Sequence, residues 1–195
     1  NEPVSNDANS ILIIGGAGGV GSIAIQLLRA LTNLKVIATA SRPETTAWAI
    51  QLGAHHVIDH SKPLCEQFLA LGLGQPGYVF STNQTGNYIE QIAELLAPQG
   101  RFGLIDDPGD LSIMPFKQKS ISIYWEFMYT RSLFKTNDMI RQHYILNQVA
   151  ELLDAGKIRS TATDTLGIIN ATNLINAHKI LESNTTCGKL VLKGF

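Results

Sequence analysis

Residues 11–21 read Ile11-Leu12-Ile13-Ile14-Gly15-Gly16-Ala17-Gly18-Gly19-Val20-Gly21, and the fold class follows from them. Four apolar residues, three of them β-branched, end at a pair of glycines. That is a strand buried on both faces, as parallel sheets contain. Gly16 through Gly21 match G-x-G-x-x-G between a predicted strand and a predicted helix, the context in which the motif carries weight. Gly16 is expected to permit the tight turn, Gly18 to let backbone approach a pyrophosphate, and Gly21 to pack helix on strand. The N–H groups of Gly19 and Val20, with the helix dipole, would hold the phosphates. A P-loop would need Lys after the last glycine, but Ser22 stands there.

Outward from this turn, strands and helices alternate. Val20, Ile23, Ala24, Leu27, Leu28 and Leu31 fall at helical spacing and predict one apolar stripe. Residues 36–40 are a second strand. Pro43 starts a helix that ends at Gly53. Residues 56–58, 78–80 and 101–105 are further strands, and residues 62–71 and 88–96 are helices between them. The expected fold is α/β, a doubly wound parallel sheet with helices on both faces.

The rhythm changes after Asp106. Residues 120–125 alternate with period two and predict a sixth strand, with Ile121, Ile123 and Trp125 on one face. Residues 138–155 and 171–181 read as helices and residues 190–192 as a short strand. This tail is expected not to continue the alternation and to pack differently. The predicted division is a cofactor domain at residues 8–130 and a C-terminal segment at residues 131–195.

The second strand ends Ala40-Ser41-Arg42. A free ribose 2′-hydroxyl is usually read by an acid about 20 residues beyond the glycine motif, and a 2′-phosphate by a nearby Arg. No carboxylate precedes Glu44. A methyltransferase would want an acid here too. Ser41 can donate a hydrogen bond and Arg42 offers a planar donor fork, so NADP(H) is favoured over NAD(H). The competing reading makes Ser41-x-x-Glu44 a capping box. Thr82, Asn83, Ile105 and Asp106 lie by phase at the same carboxyl edge and could border the nicotinamide ribose and ring. His60 follows the third strand, as an adenine-side contact or a surface histidine. His55, His56 and His60 fit no standard zinc spacing. None of the five tyrosines has Lys four residues on, so the catalytic pair of a short-chain dehydrogenase is absent.

Composition bounds partners. Fifteen basic and sixteen acidic residues give a formal net charge of -1, which leaves no electrostatic footprint for nucleic acid or an anionic membrane. Two cysteines exclude a disulfide framework and fit a reducing compartment, hence a cytoplasmic location. No apolar run reaches the length of a membrane span. Charged residues are only 16%, against roughly a quarter in typical domains, so part of the surface is expected to be covered by another domain or subunit. Asn1 and the polar stretch before Ile11 read as the cut end of a longer protein.

Taken in order, these motifs and Leu52-Gly53-Ala54, Val57-Ile58-Asp59-His60, Leu96-Ala97-Pro98-Gln99-Gly100, Trp125-Glu126-Phe127-Met128 and Gly188-Lys189-Leu190-Val191-Leu192 resemble the medium-chain dehydrogenase/reductases. The likeness is to the quinone oxidoreductase-like branch labelled zinc-type alcohol dehydrogenase-like. The resemblance implies a Rossmann cofactor domain, with a tail that belongs to a largely missing catalytic domain. It implies hydride transfer from NADPH to a small-molecule substrate, a quinone or an activated enone or carbonyl. It also implies a homodimer through an edge strand at residues 120–129. The family's zinc-binding cysteines and histidine are not found here, and His60 stands where relatives carry a tyrosine near the 2′-phosphate. No catalytic residue is assigned, and the chain alone is expected to be inactive. The alternative is a non-catalytic NADP(H)-binding sensor or interaction module.

Overall fold

The computed structural model describes residues 8–194; the polar stretch read above as a cut end lies, through residue 7, outside them. Strands β1 (Ser10–Ile14), β2 (Lys35–Thr39), β3 (His56–Ile58), β4 (Tyr78–Ser81), β5 (Arg101–Leu104) and β6 (Ser122–Trp125) form one sheet in the order β3-β2-β1-β4-β5-β6. Every pairing is parallel. The fold class is the expected one. Central β1 is buried at all five positions, as its unbroken apolar run requires.

Helices α1 (Gly19–Leu31), α2 (Pro43–Gln51), α3 (Leu64–Leu69) and α4 (Ile89–Leu95) connect the strands. Two large apolar clusters form most of the core, beside a small one of Ala8 and Ala97. One large cluster gathers Leu12, Ile14, Phe68, Ile92 and Phe102, and the other Ile13, Ile25, Val36 and Ala49. Alternate residues of β1 thus serve opposite faces of the sheet. The C-terminal carbonyls of α4 are closed by the Lys119 ammonium, which donates to the backbone oxygens of Ala93, Glu94 and Leu96 at 3.0, 2.5 and 2.8 Å. A cation there also complements the helix dipole.

The structure corrects the predicted stripe of α1. The buried residues are Gly21, Ser22, Ile25 and Gln26, while Val20 and Leu31 are exposed. Gly21 decides this. A Cβ on it would lie 2.2 Å from the Gly15 carbonyl oxygen, so the helix presses its small residue inward. Of the stripe, Ala24 and Leu28 pack against the core cluster around Ile25, and Ala24, Leu27, Leu28 and Leu31 also line an open apolar groove with Tyr78, Phe80 and Tyr124.

The tail differs from expectation as well. After α5 (Thr130–Leu133) and α6 (Arg141–Asp154), strand β7 (Ala162–Ile168), helix α7 (Ala171–Glu182) and strand β8 (Lys189–Lys193) make a further strand–helix–strand unit, with β7 and β8 parallel. The alternation therefore resumes. Strand β7 escapes a sequence reading because most of its positions are exposed, and Ala162-Thr163-Asp164-Thr165 carries no apolar alternation. Strand β6 stands at the sheet edge. Ile121 and Ile123 pack against the core, whereas Trp125 is exposed, so the three do not form one free apolar face. Around it Phe127, Met128, Tyr129, Leu133 and Phe134 are all more than half exposed.

Candidate cofactor site

The glycine turn is held from below by β2 and β4. The Gly15 N–H donates to Thr39 Oγ1 at 3.0 Å and the Gly16 N–H to the Thr39 carbonyl at 3.2 Å. Thr82 donates to the Ile14 carbonyl through its amide at 3.2 Å and its hydroxyl at 2.9 Å. The left-handed residue of the turn is Gly15, at φ +80°, not Gly16. Gly16 is needed because a Cβ there would come within 2.6 Å of the Ala38 Cβ. Gly18 is different in kind: a Cβ there would meet only the Gly15 oxygen at 3.5 Å. The space over Gly18 opens into the cleft, as an approaching phosphate needs. No side chain caps α1 and no acid sits in its first turn. The first-turn N–H groups are therefore available to an anion.

A cleft of about 400 Å³ runs over this turn. Among the residues expected at the site, Gly18, Gly19, Val20, Ser41, Arg42, His60, Thr82 and Asn83 line it, while Gly16 and Gly21 lie behind the loop. Ile105 and Asp106 are not in the lining. The Asp106 carboxylate is occupied instead by Thr85, accepting its N–H at 2.9 Å and its hydroxyl proton. Thr85 is fully buried and its hydroxyl also contacts Ser81 Oγ at 2.7 Å. Asp106 thus ties the end of β5 to the loop after β4, where Gln84 is left-handed at φ 54° and Asn83 and Gln84 border the cleft.

At the far end, Arg42 is the N-cap of α2. Its N–H donates to Thr45 Oγ1 at 3.2 Å, and Thr45 Oγ1 donates to the Arg42 carbonyl at 2.9 Å. The capping pair is therefore Arg42 with Thr45. Ser41 with Glu44 does not form it, and Ser41 stays exposed on the cleft. The guanidinium meets Glu44 at 3.2 Å through Nη1 and donates from Nη2 to the Thr185 carbonyl at 2.6 Å. His60 Nδ1 lies 3.2 Å from Thr39 Oγ1. Burial lowers the His60 pKa; the Asp59 carboxylate pulls it back up in part, and the Arg42 charge adds a lesser push downward. His60 is thus biased toward the neutral ring.

The sequence reading missed the wall supplied by the tail. Leu181, Asn184, Thr186 and Lys189 line the same cleft. The Gly188 N–H donates to the Ala17 carbonyl at 2.8 Å, and Lys189 lies so close to Gly19 that a Cβ there would be 2.4 Å from the lysine Cε. Gly188-Lys189 was visible as a motif, but nothing local in it points to a turn so distant in sequence.

No three His, Cys, Asp or Glu side chains converge on a metal site among the described residues. His55 instead accepts the Val36 N–H at 2.9 Å and contacts Arg29 at 2.7 Å. Both cysteines are free, and burial pushes the Cys65 thiol up to about 11, far from a reactive thiolate.

Residues 19–142 match the family model for zinc-binding dehydrogenases. A zinc-type alcohol dehydrogenase-like protein of Staphylococcus epidermidis is 39% identical over 194 residues, covering 98% of this chain and 57% of that protein. A crystallised Rhizobium etli CFN 42 protein, named for an inferred zinc-dependent alcohol dehydrogenase activity, is 57% identical with a TM-score of 0.97. The match covers 100% of this chain and 57% of that one. Escherichia coli quinone oxidoreductase, crystallised with NADPH, shares the fold at a TM-score of 0.78 and 23% identity, over 95% of this chain and 57% of its own. The chain therefore spans a little over half the length of the relatives it matches.

Proposed function

From the premise that this chain belongs to the zinc-binding dehydrogenase family, we propose that it is the NADP(H)-binding portion of an oxidoreductase of the medium-chain dehydrogenase/reductase type. The observation that carries the reading is the cleft that joins the open Gly18 turn at one point to Arg42 at another. When bound, the nicotinamide supplies the hydride chemistry. The protein's work is to hold it.

In this reading the α1 N-terminus and the Lys189 ammonium take the pyrophosphate. Ser41, Arg42 and His60 take the 2′-phosphate. Two of the Arg42 donors are engaged by Glu44 and Thr185, which leaves the other N–H groups of the fork for a ligand. Glu44 would be the group that disfavours a phosphate, and its 61% side-chain exposure weakens that effect. Thr82 and Asn83 border the nicotinamide end, positioned by the Thr85–Asp106 pair.

The family's name implies zinc. The described residues supply no donor set for it, and no step here runs through a metal. The proposed substrate is a quinone or an activated enone or carbonyl, which receives the hydride in a whole enzyme. Two such enzymes would associate through β6, whose outward N–H and C=O groups form an open edge. The proposed location is the cytoplasm, supported by two unpaired thiols; no described helix is long and apolar enough to cross a membrane.

The test is turnover. A form that carries the additional length of the relatives should oxidise NADPH when given quinones, enones or aldehydes, followed by absorbance of the reduced nicotinamide. The 195-residue chain should bind NADPH and turn over none of them appreciably, since it lacks most of the wall that orients substrate and excludes water. A longer form inert with all three substrate classes would refute the catalytic reading.

A further inference from the structure

We infer that the loop between α7 and β8 is part of the 2′-phosphate subsite, with Thr186 as a specificity-determining residue that donates its hydroxyl to that phosphate. The inference rests on the NADP(H) reading above and extends it to a segment far from β2 in sequence.

Three observations place this loop at the phosphate end of the cleft. The Thr185 carbonyl accepts from Arg42 Nη2 at 2.6 Å. Ser41 and Arg42 line that end of the cleft. Thr186, the residue after Thr185, lines it together with Asn184 and Leu181. Thr185 is thus bonded to the guanidinium, and the next residue faces the cavity.

The loop is also held in place from both sides. Thr185 Oγ1 contacts Ser183 Oγ at 2.6 Å. The Cys187 carbonyl accepts from Thr163 Oγ1 at 2.6 Å, and the Gly188 N–H is bonded to the glycine turn. Gly188 itself is left-handed at φ 61°, and a Cβ there would come within 2.3 Å of the Thr161 carbonyl oxygen. The backbone on either side of Thr186 is therefore anchored, and its side chain needs little ordering on binding. A preorganised hydroxyl beside a guanidinium suits a dianionic phosphate: it donates one charge-assisted bond and brings no charge of its own. An adenosine without a 2′-phosphate offers at most a neutral hydroxyl there and no charge-assisted bond.

The experiment compares adenosine 2′,5′-bisphosphate with AMP on the 195-residue chain by calorimetric titration. The unmutated chain should bind the bisphosphate at least tenfold more tightly. Thr186→Val should lose about tenfold of bisphosphate affinity and leave AMP unchanged, while Thr186→Ser, which keeps the hydroxyl, should restore it. Thr186→Glu, which sets a carboxylate against the phosphate, should remove the preference altogether. Equal losses for both ligands in Thr186→Val would reduce the loop to a wall, and no loss would exclude it from the subsite; either overturns the inference and leaves the NADP(H) reading standing. Equal affinity of the unmutated chain for the two ligands would overturn both.

Discussion

The side-chain amide of Gln26 grips the main chain of Arg159 at both of its polar atoms. Nε2 donates to the Arg159 carbonyl at 3.1 Å and Oε1 accepts the Arg159 N–H at 2.8 Å, between residues 133 apart in sequence. Gln26 is 5% exposed. Next to this pair the Arg159 guanidinium lies 5.2 Å from the Trp48 ring centroid. The indole N–H of Trp48 donates to Ser22 Oγ at 2.8 Å, and Ser22 Oγ donates to the Ala17 carbonyl at 3.2 Å. The tail is thereby bonded to the helix that starts at the glycine turn, and the tail is what carries Thr186 and Lys189 to the cleft.

Gln26→Leu keeps the volume and strands two backbone groups. We expect a loss of about 1–3 kcal/mol, seen as a thermal midpoint lower by roughly 2–10 °C, together with weaker NADPH binding. An unchanged midpoint in a thermal melt would show that the tail is docked by other contacts.

The glycines separate structure from binding. Gly21→Ala drives a Cβ into the Gly15 carbonyl and the Gly16 backbone and should cost about 1–3 kcal/mol or prevent folding. Gly18→Ala meets only an ordinary contact with the Gly15 carbonyl oxygen at 3.5 Å, so its melt should match the unmutated chain while NADPH affinity falls about tenfold or more, as the methyl fills the phosphate position. Near-unchanged NADPH affinity in Gly18→Ala would argue against the turn as the phosphate cradle.

Acid should weaken the fold through two histidines. Burial, then the Arg29 and Lys35 charges, lowers the His55 pKa, and burial lowers that of His60 despite the opposing Asp59 charge. The unfolded chain, with histidines near 6.5, then binds more protons than the folded one. Stability contributed by these groups is present above that value and is lost as pH falls through it toward the folded pKa values. Thermal midpoints measured from pH 7.5 down to 5.5 should fall, and the fall should be shallower in the double variant His55→Gln, His60→Gln. Parallel curves for the two proteins would remove the histidines from the account.

Self-association through β6 is open to a direct test. The N–H groups of Ser122 and Glu126 point inward to the Gly100 and Leu104 carbonyls. By strand alternation those of Ile123 and Trp125 point out to the edge. Trp125→Pro deletes an outward donor on an exposed residue, and proline is tolerated at an edge. Sedimentation at micromolar concentration should show a dimer for the unmutated chain and a shift toward monomer for the variant. A monomeric unmutated chain would contradict pairing at this edge.

The sheet was legible because its signals are local. Ile11 to Ile14 are an apolar run that only a two-sided burial satisfies, and Pro43 and Gly53 bracket α2 by backbone chemistry alone. What escaped depends on partners distant in sequence. The most buried face of α1, Gly21 with Ser22, Ile25 and Gln26, is fixed by Gly21 meeting Gly15, and only Ala24 and Leu28 of the apolar stripe pack against the core. Asp106 was read correctly to the carboxyl edge of the sheet, but its carboxylate is spent on Thr85, a bond that only the folded loops bring about. Strand β7 has exposed faces and so no hydrophobic alternation to read. The second wall of the cleft comes from the tail, and no pattern within Gly188-Lys189 names the glycine turn as its neighbour.

The central claim is that this cleft binds a nicotinamide cofactor and reads its 2′-phosphate through Arg42. It is tested most directly by titrating NADPH and NADH into the unmutated chain and into Arg42→Glu, following the enhanced fluorescence of the bound nicotinamide. NADPH should bind the unmutated chain at least tenfold more tightly than NADH, and the Arg42→Glu chain should have lost or reversed that preference while still melting as a folded protein. Equal affinities for the two cofactors in the unmutated chain, or a preference untouched by Arg42→Glu, would contradict it.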